Sequence, residues 1–401
     1  SYDKESGELV LHNYMDFDNL KDYVKISYEL TQDGLLIGKG KLAEVSVVPH
    51  SEGKTNLQVN VPENGKCYLK LIYHLKKEMP LLEEDYILGF DEIEVSQKDA
   101  KCQLAEKWVE KTVTDSELQV SEDDTQIHIK GREFAYTIDR RTALFTEMKF
   151  AGREYLNHPM ELNIWRAPTD NDMYIKSEWK KAHYDKAYTR AYTTEVVQGK
   201  HGVKITSHAS VVAETVQKIL DVTITWKIEA AGKIDADIAV TKDDEFPDLP
   251  RFGVRMFLDK KLSAARYFGM GPQESYCDKH QAASHGLYQA NVDDLHEDYI
   301  RPQENGSHYD CEYVELNNSR YGIVVSAENA FSFNASYYTQ EELEKKTHNY
   351  ELTESDSVVF CVDYALNGIG SNSCGPVVLD QYRFDDVLFR FQFTLIPYVK
   401  G

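Results

Sequence analysis

The sequence is poor in the features that would make it a membrane, metal or redox protein. No uninterrupted apolar run approaches the roughly 18 residues that a bilayer-crossing helix needs. The opening residues Ser1-Tyr2-Asp3-Lys4 hold no apolar signal segment, so a soluble, cytoplasmic chain is expected. Positive charge is scarce: 45 Lys and Arg against 67 Asp and Glu leave a formal net charge of −22. That balance repels phosphate backbones and anionic lipid, and it argues against nucleic acid and membranes as partners. The six cysteines, at 67, 102, 277, 311, 361 and 374, form no C-x-x-C pair and have no histidine at metal-ligand spacing. They read as reduced thiols, mostly buried, and zinc is not indicated. No G-x-S-x-G, H-E-x-x-H or P-loop occurs. Gly269-Met270-Gly271 lacks a third glycine and is followed by Pro272, which excludes a dinucleotide fingerprint. Helical periodicity is scarce too, so the roughly 250 residues of alternating strand and helix of an (α/β) barrel are not in this chain.

What the chain has is strands. Over residues 1–97 the runs Val24, Ile26, Tyr28, Leu30 and Cys67, Leu69, Leu71, Tyr73, Leu75 alternate with polar residues, and Asp33-Gly34 and Asn64-Gly65 supply turns. A module of about 100 residues patterned this way fits an immunoglobulin-like β-sandwich. Residues 98–116 lose the alternation, carry mixed charge and read as a linker. From 117 to 401 the period of two returns, clearest in Leu220 to Ile228, Ile234 to Val240, Phe252 to Leu258 and Phe389 to Leu395, each burying one face and wetting the other. Two helices are expected, Ser177 to Ala187 and one opening at the capping box Thr339-Gln340-Glu341-Glu342. With no internal repeat, the fold class is all-β, the second module being one large antiparallel sandwich.

Polar residues concentrate at three breaks in this pattern. The strand ending at Met160, Leu162 and Ile164 runs into Trp165-Arg166-Ala167-Pro168-Thr169-Asp170-Asn171-Asp172, which packs a guanidinium, two carboxylates and a carboxamide into one corner. Such a density of directional groups suits either a sugar edge or an internal salt-bridge clamp. Pro302-Gln303-Glu304-Asn305-Gly306 is a second polar corner, in which Gln303 and Glu304 either cap the turn or face a ligand. Gly368-Ile369-Gly370-Ser371-Asn372-Ser373-Cys374-Gly375-Pro376 is a loop whose small side chains let a backbone or a ligand approach closely. No pair of carboxylates can be nominated by spacing as a catalytic acid and base.

These stretches in this order, with Gly269 to Tyr276 between the first two, resemble the C-terminal small-chain region of family 2 β-galactosidases. Arg166-Ala167-Pro168-Thr169-Asp170-Asn171-Asp172 matches that family's R-A-P-x-D-N-D signature in full. Phe17 to Tyr23 is similar to the immunoglobulin-like domain that precedes the small chain, so the resemblance covers essentially the whole sequence. It implies an immunoglobulin-like sandwich over 1–97 and a galactose mutarotase-like supersandwich over 117–401, together a C-terminal piece of a longer enzyme. The nucleophilic and acid/base glutamates of a retaining mechanism, with magnesium and sodium, then belong to a catalytic barrel outside this chain. No catalytic residue, metal or cofactor is expected within it, and the chain alone should be inactive. Its partners would be that barrel, a β-galactoside and, at full length, further copies of itself. The residues carried over as substrate-binding are Arg166, Asp170, Asn171, Asp172, Asn372, Ser373 and Cys374.

Two departures bear on specificity. Cys374 stands where some members have a tryptophan that stacks on substrate, an aromatic platform worth about 1 kcal/mol beyond its buried area. Glu312 stands where the family usually has arginine. The alternatives are a stand-alone carbohydrate-binding module and a mutarotase-like epimerase, the latter needing a histidine and a carboxylate on one sugar oxygen. His280 and His285 are the histidines near a corner, and neither sits in a supporting motif.

Overall fold

The computed structural model describes residues 1–97, 118–370 and 375–400; the linker expected over 98–116 lies outside them. The chain divides into two compact units, Ser1–Cys102 with His285–Leu287 and Gln103–Ser284 with Tyr288–Gly401.

In the first unit β1 (Tyr2–Asp3), β2 (Glu8–Asn13), β3 (Val24–Gln32), β4 (Leu35–Lys41), β5 (Ser51–Asn56), β6 (Cys67–Leu75) and β7 (Ile87–Ser96) make two sheets, ordered β1-β2-β5 and β4-β3-β6-β7. The alternation seen in the sequence points Leu9 and Leu11 of one sheet and Ile26, Leu30, Leu69 and Leu71 of the other into a single core, which is what makes the pair a sandwich. Asp33 and Gly34 both take positive φ, 48° and 78°, the conformation that a two-residue hairpin between twisted strands requires. The short helix α1 (Leu20–Tyr23) is capped by Asn19, whose side chain accepts from the Lys21 amide.

The second unit is also all-β. β8 (Gln119–Glu122), β9 (Gln126–Lys130), β10 (Phe134–Asp139), β11 (Leu144–Phe150) and β12 (Arg153–Glu154) form a sheet ordered β12-β11-β10-β9-β8. A larger sheet holds β13 (Leu156–Asn163), β14 (Tyr188–Gln198), β15 (Gly202–Val212), β16 (Leu220–Glu229), β17 (Ile234–Lys242), β18 (Arg251–Asp259), β19 (Ala264–Gly271), β20 (Ser284–Asn291), β21 (Ser307–Asn317), β22 (Tyr321–Ser336), β23 (Ser357–Leu366) and β24 (Leu388–Val399). Its order is β13-β18-β23-β22-β24-β17-β16-β15-β14, with β21 on β22, β19 on β21 and β20 on β19. Register follows size: Ile224 faces Ile238, which faces Phe391, and Trp226 faces Ala236, which faces Phe393. Residues from both sheets, among them Ile127, Tyr136, Phe145, Trp226, Ile238 and Phe393, share one core.

Two expectations are revised. The helix read as Ser177 to Ala187 is α2 (Ile175–Lys181), because His183 adopts a left-handed φ of 57° that no helix continues through, and a 3-10 turn, Tyr184–Lys186, follows. The second helix, α3 (Gln340–Lys345), begins where expected, with Thr339 accepting from the Glu342 amide at 3.1 Å. The other revision concerns β18, whose second face was expected to be wet. Arg251 is fully buried there, as is Asp363 of β23, and Arg255 is nearly so. Among the described residues no helix is long and apolar enough to cross a membrane.

Candidate functional site

Where β13 ends, Asn163 turns the chain by accepting the Trp165 amide at 3.0 Å. Trp165 then packs edge-to-face on Trp179 of α2, and the Arg166 guanidinium lies 5.2 Å from that same ring. Arg166 is walled in by aromatic surface on one side. On the other, its Nε and Nη2 donate to the Asp172 carboxylate at 3.1 and 2.7 Å. Nη1 donates to the Asn367 carbonyl, and Nη2 also reaches the Gly368 carbonyl at 3.2 Å. Asp172 in turn accepts the Thr169 amide at 2.8 Å, closing the turn.

This geometry separates the predicted site residues. Arg166 and Asp172 are 0% and 3% exposed, so the corner's guanidinium is an internal clamp and not a surface a ligand can touch. The physical reason is that a guanidinium in an apolar setting needs a carboxylate and carbonyls around it. Asn171 points its amide at the Ile369 carbonyl, 2.7 Å away. Asp170 is the exposed member: its amide donates to Gln303 Oε1 at 3.0 Å, and its carboxylate lies 3.9 Å from the exposed Arg301. Asn372, Ser373 and Cys374 lie outside the described residues.

The three polar breaks in the sequence converge here. Glu304 of the second corner accepts the Ala167 amide at 3.3 Å through one oxygen and Arg251 Nη1 at 2.8 Å through the other. Its own amide donates to the Ala167 carbonyl at 3.0 Å. Arg251 also forks onto Asp363, so one guanidinium serves two buried carboxylates. Burial pushes the Asp363 carboxyl up to about 6 against the pull of Arg251, and the Glu304 charge adds to the rise. Gly306 closes the corner at φ +70°, where a Cβ would sit 2.2 Å from the Leu295 carbonyl oxygen, and its amide donates to Glu274 at 2.8 Å. The glycine-rich loop does admit a close approach, and the group that takes it is the chain's own Asp278, which accepts the amides of Ile369 at 3.0 Å and Gly370 at 2.7 Å.

Residues 130–395 match the family model described as beta galactosidase small chain, and residues 9–96 match beta-galactosidase, domain 4. The chain belongs to the beta-galactosidase small-chain family. A beta-galactosidase of Actinobacillus pleuropneumoniae is 42% identical over 392 residues, 97% of this chain and 38% of that protein. One from Staphylococcus xylosus is 30% identical over 398 residues, 98% of this chain and 39% of that protein. The chain therefore spans about two fifths of the length of the curated relatives it matches. Among solved structures, galactose 1-epimerase from Lactobacillus acidophilus NCFM superposes with a TM-score of 0.36 at 7% identity, covering 72% of this chain and 100% of that one, a likeness too loose to carry an argument.

Sequence reasoning missed several members of this small-chain corner. Asp278 sits just past Tyr276 in a stretch without periodicity, and nothing local marks it as the acceptor for a loop 91 and 92 positions away. Arg251 and Asp363 occupy strand positions that alternate with apolar ones, where a charged side chain normally marks a solvated face. Carboxylates are plentiful at the corner, yet Asp172, Glu304, Asp363 and Asp278 are each engaged by guanidinium or amide donors. What the arrangement does chemically is fix the entrance of the 368–370 loop through Arg166, Asn171 and Asp278 at once.

Proposed function

We propose that this chain is the C-terminal, non-barrel part of a retaining β-galactosidase, acting on terminal β-galactosides when joined to its catalytic barrel, and that its second unit closes one side of the active-site cleft. The observation that carries this reading is the anchoring of the glycine-rich loop by the R-A-P-x-D-N-D corner in a chain that belongs to the small-chain family. Arg166 and Asp172 act as positioning residues, while Asp170 and Asn171 stand nearer the side from which a substrate would be met. Retaining hydrolysis uses two carboxyl groups about 5 Å apart, one attacking carbon and one protonating the leaving oxygen. In this proposal both belong to the barrel, as do magnesium and sodium. Residence in the cytoplasm and assembly of the full-length enzyme into a homo-oligomer are part of the same proposal.

The test is hydrolysis of an aryl β-galactoside by the purified chain, alone and after joining to the remainder of the enzyme. The expected result is no turnover alone and turnover when joined. Turnover by the chain alone overturns the assignment of the catalytic carboxylates to the barrel, and its absence from both overturns the hydrolase.

A further inference from the structure

A concave site lies in the same unit, between β21, β22, β23 and the segment 381–386. It is a cavity of about 310 Å³, at the lower end of the roughly 300–1,000 Å³ range of small-molecule sites and so sized for one ring, not a chain of them. Its wall mixes the rings of Tyr309, Tyr364 and Tyr382 with the polar side chains of Ser332, Gln381 and Asp386. The hydroxyls of those three tyrosines have no hydrogen-bond partner among the described residues, and neither do the side chains of Ser332 and Gln381. None of these polar atoms is sealed from solvent, so they stand around the cavity as accessible donors and acceptors.

The chemistry of the wall narrows the occupant. Arg383, a cation in the wall, donates through Nε to the Val378 carbonyl at 3.2 Å and pairs through Nη1 with Asp380 at 3.2 Å, so its charge is already matched by a carboxylate. Asp386, whose carboxyl is raised by burial and by its neighbour Asp385, adds a further obstacle to negative charge. Neutral donors and acceptors beside aromatic rings match a polyol with one apolar C–H face and several hydroxyls. We infer that this cavity is a binding site for a neutral pyranose ring, packed against the Tyr382 ring and hydrogen-bonded by Ser332, Gln381 and the tyrosine hydroxyls. The ligand class follows from the wall alone; only the choice of a galactoside as first probe rests on the proposed hydrolase.

The experiment is saturation-transfer NMR on the chain Ser1–Gly401 with methyl β-galactopyranoside, methyl β-glucopyranoside and choline. Three variants accompany it: Tyr382→Ala, Gln381→Ala, and Ala330→Phe, which puts a ring into the cavity from its wall. Circular dichroism identifies any variant that does not fold, and the remaining ones then decide. Saturable transfer to a glycoside, weakened about fivefold by loss of the Tyr382 ring and abolished by Ala330→Phe, supports the site. Binding of the glucoside alone supports the site and counts against the galactoside. No saturable transfer, transfer that survives Ala330→Phe, or a preference for choline overturns it.

Discussion

Arg166 illustrates how little a residue type says about its role until its partners are known. With two hydrogen bonds to Asp172 and two to loop carbonyls, it has the polarity of a substrate anchor and the environment of a core residue. Arg166→Ala leaves Asp172 buried without a counter-charge, and a loss of about 3–5 kcal/mol in urea unfolding is expected. A loss below about 1 kcal/mol would show that the clamp does not carry the corner. Asn171 makes the opposite prediction. Among the described residues its side chain bonds to the Ile369 carbonyl alone, so Asn171→Ala in the complete enzyme should raise KM for an aryl β-galactoside several-fold while changing stability by only about 1 kcal/mol. An unchanged KM would separate the corner from substrate.

At the scale of elements, the turn at Gly306 is the most constrained. Gly306→Ala has to escape both a positive φ and a 2.2 Å approach to the Leu295 carbonyl oxygen, and a loss of roughly 1–3 kcal/mol is expected. Asp278→Asn removes the charge that accepts two loop amides, and hydrogen exchange at Ile369 and Gly370 should accelerate with little change elsewhere. Much of this level was legible in the sequence. Strands such as Leu220 to Ile228 announce themselves by alternation, Thr339 by its capping box, and the corner at Trp165 by the proline that ends the run. The second face of β18 was not legible, because Arg251 and Arg255 alternate with Phe252, Val254 and Met256 as a solvated row would. Only tertiary partners, Asp363, Glu304 and Glu161, turn that row inward. The site was readable as three polar breaks, but which of their groups face each other depends on contacts between distant segments that no local pattern encodes.

At the scale of the whole molecule, two buried groups give opposing responses to acid. His308 lies between Tyr267 and Phe333, with Nδ1 at 3.3 Å from the Met270 carbonyl oxygen and Glu274 as the charge that reaches it. Burial drops its pKa to about 4, below the ordinary 6.5, so between those values the unfolded chain takes a proton that the native one refuses and stability falls as pH falls. Asp363, facing Arg251 and Glu304 with Cys361 and Arg255 nearby, titrates the other way. Held up to about 6 against an ordinary 3.8, it keeps in the native state a proton that the unfolded chain releases, and stability falls as pH rises through that window. Relative to the parent chain, Asp363→Asn should therefore steepen the loss of stability between about pH 6 and pH 4, and His308→Phe should relieve it. Denaturant midpoints measured across that range check both signs, and parallel curves for the three proteins would refute the pairing.

The clamp also has a consequence for the order in which the protein is made. Arg166 and its loop acceptors are 201 and 202 positions apart, and Asp170 is 133 from Gln303, whereas the core of the first unit draws on residues between Leu9 and Val95. A growing polypeptide can close the first sandwich early, domain by domain. It must then carry Arg166 and Asp172 through the synthesis of 201 further positions before the first of the guanidinium's carbonyl acceptors is made. The corner around which the second unit is organised is thus among the last parts of it to be completed on the ribosome.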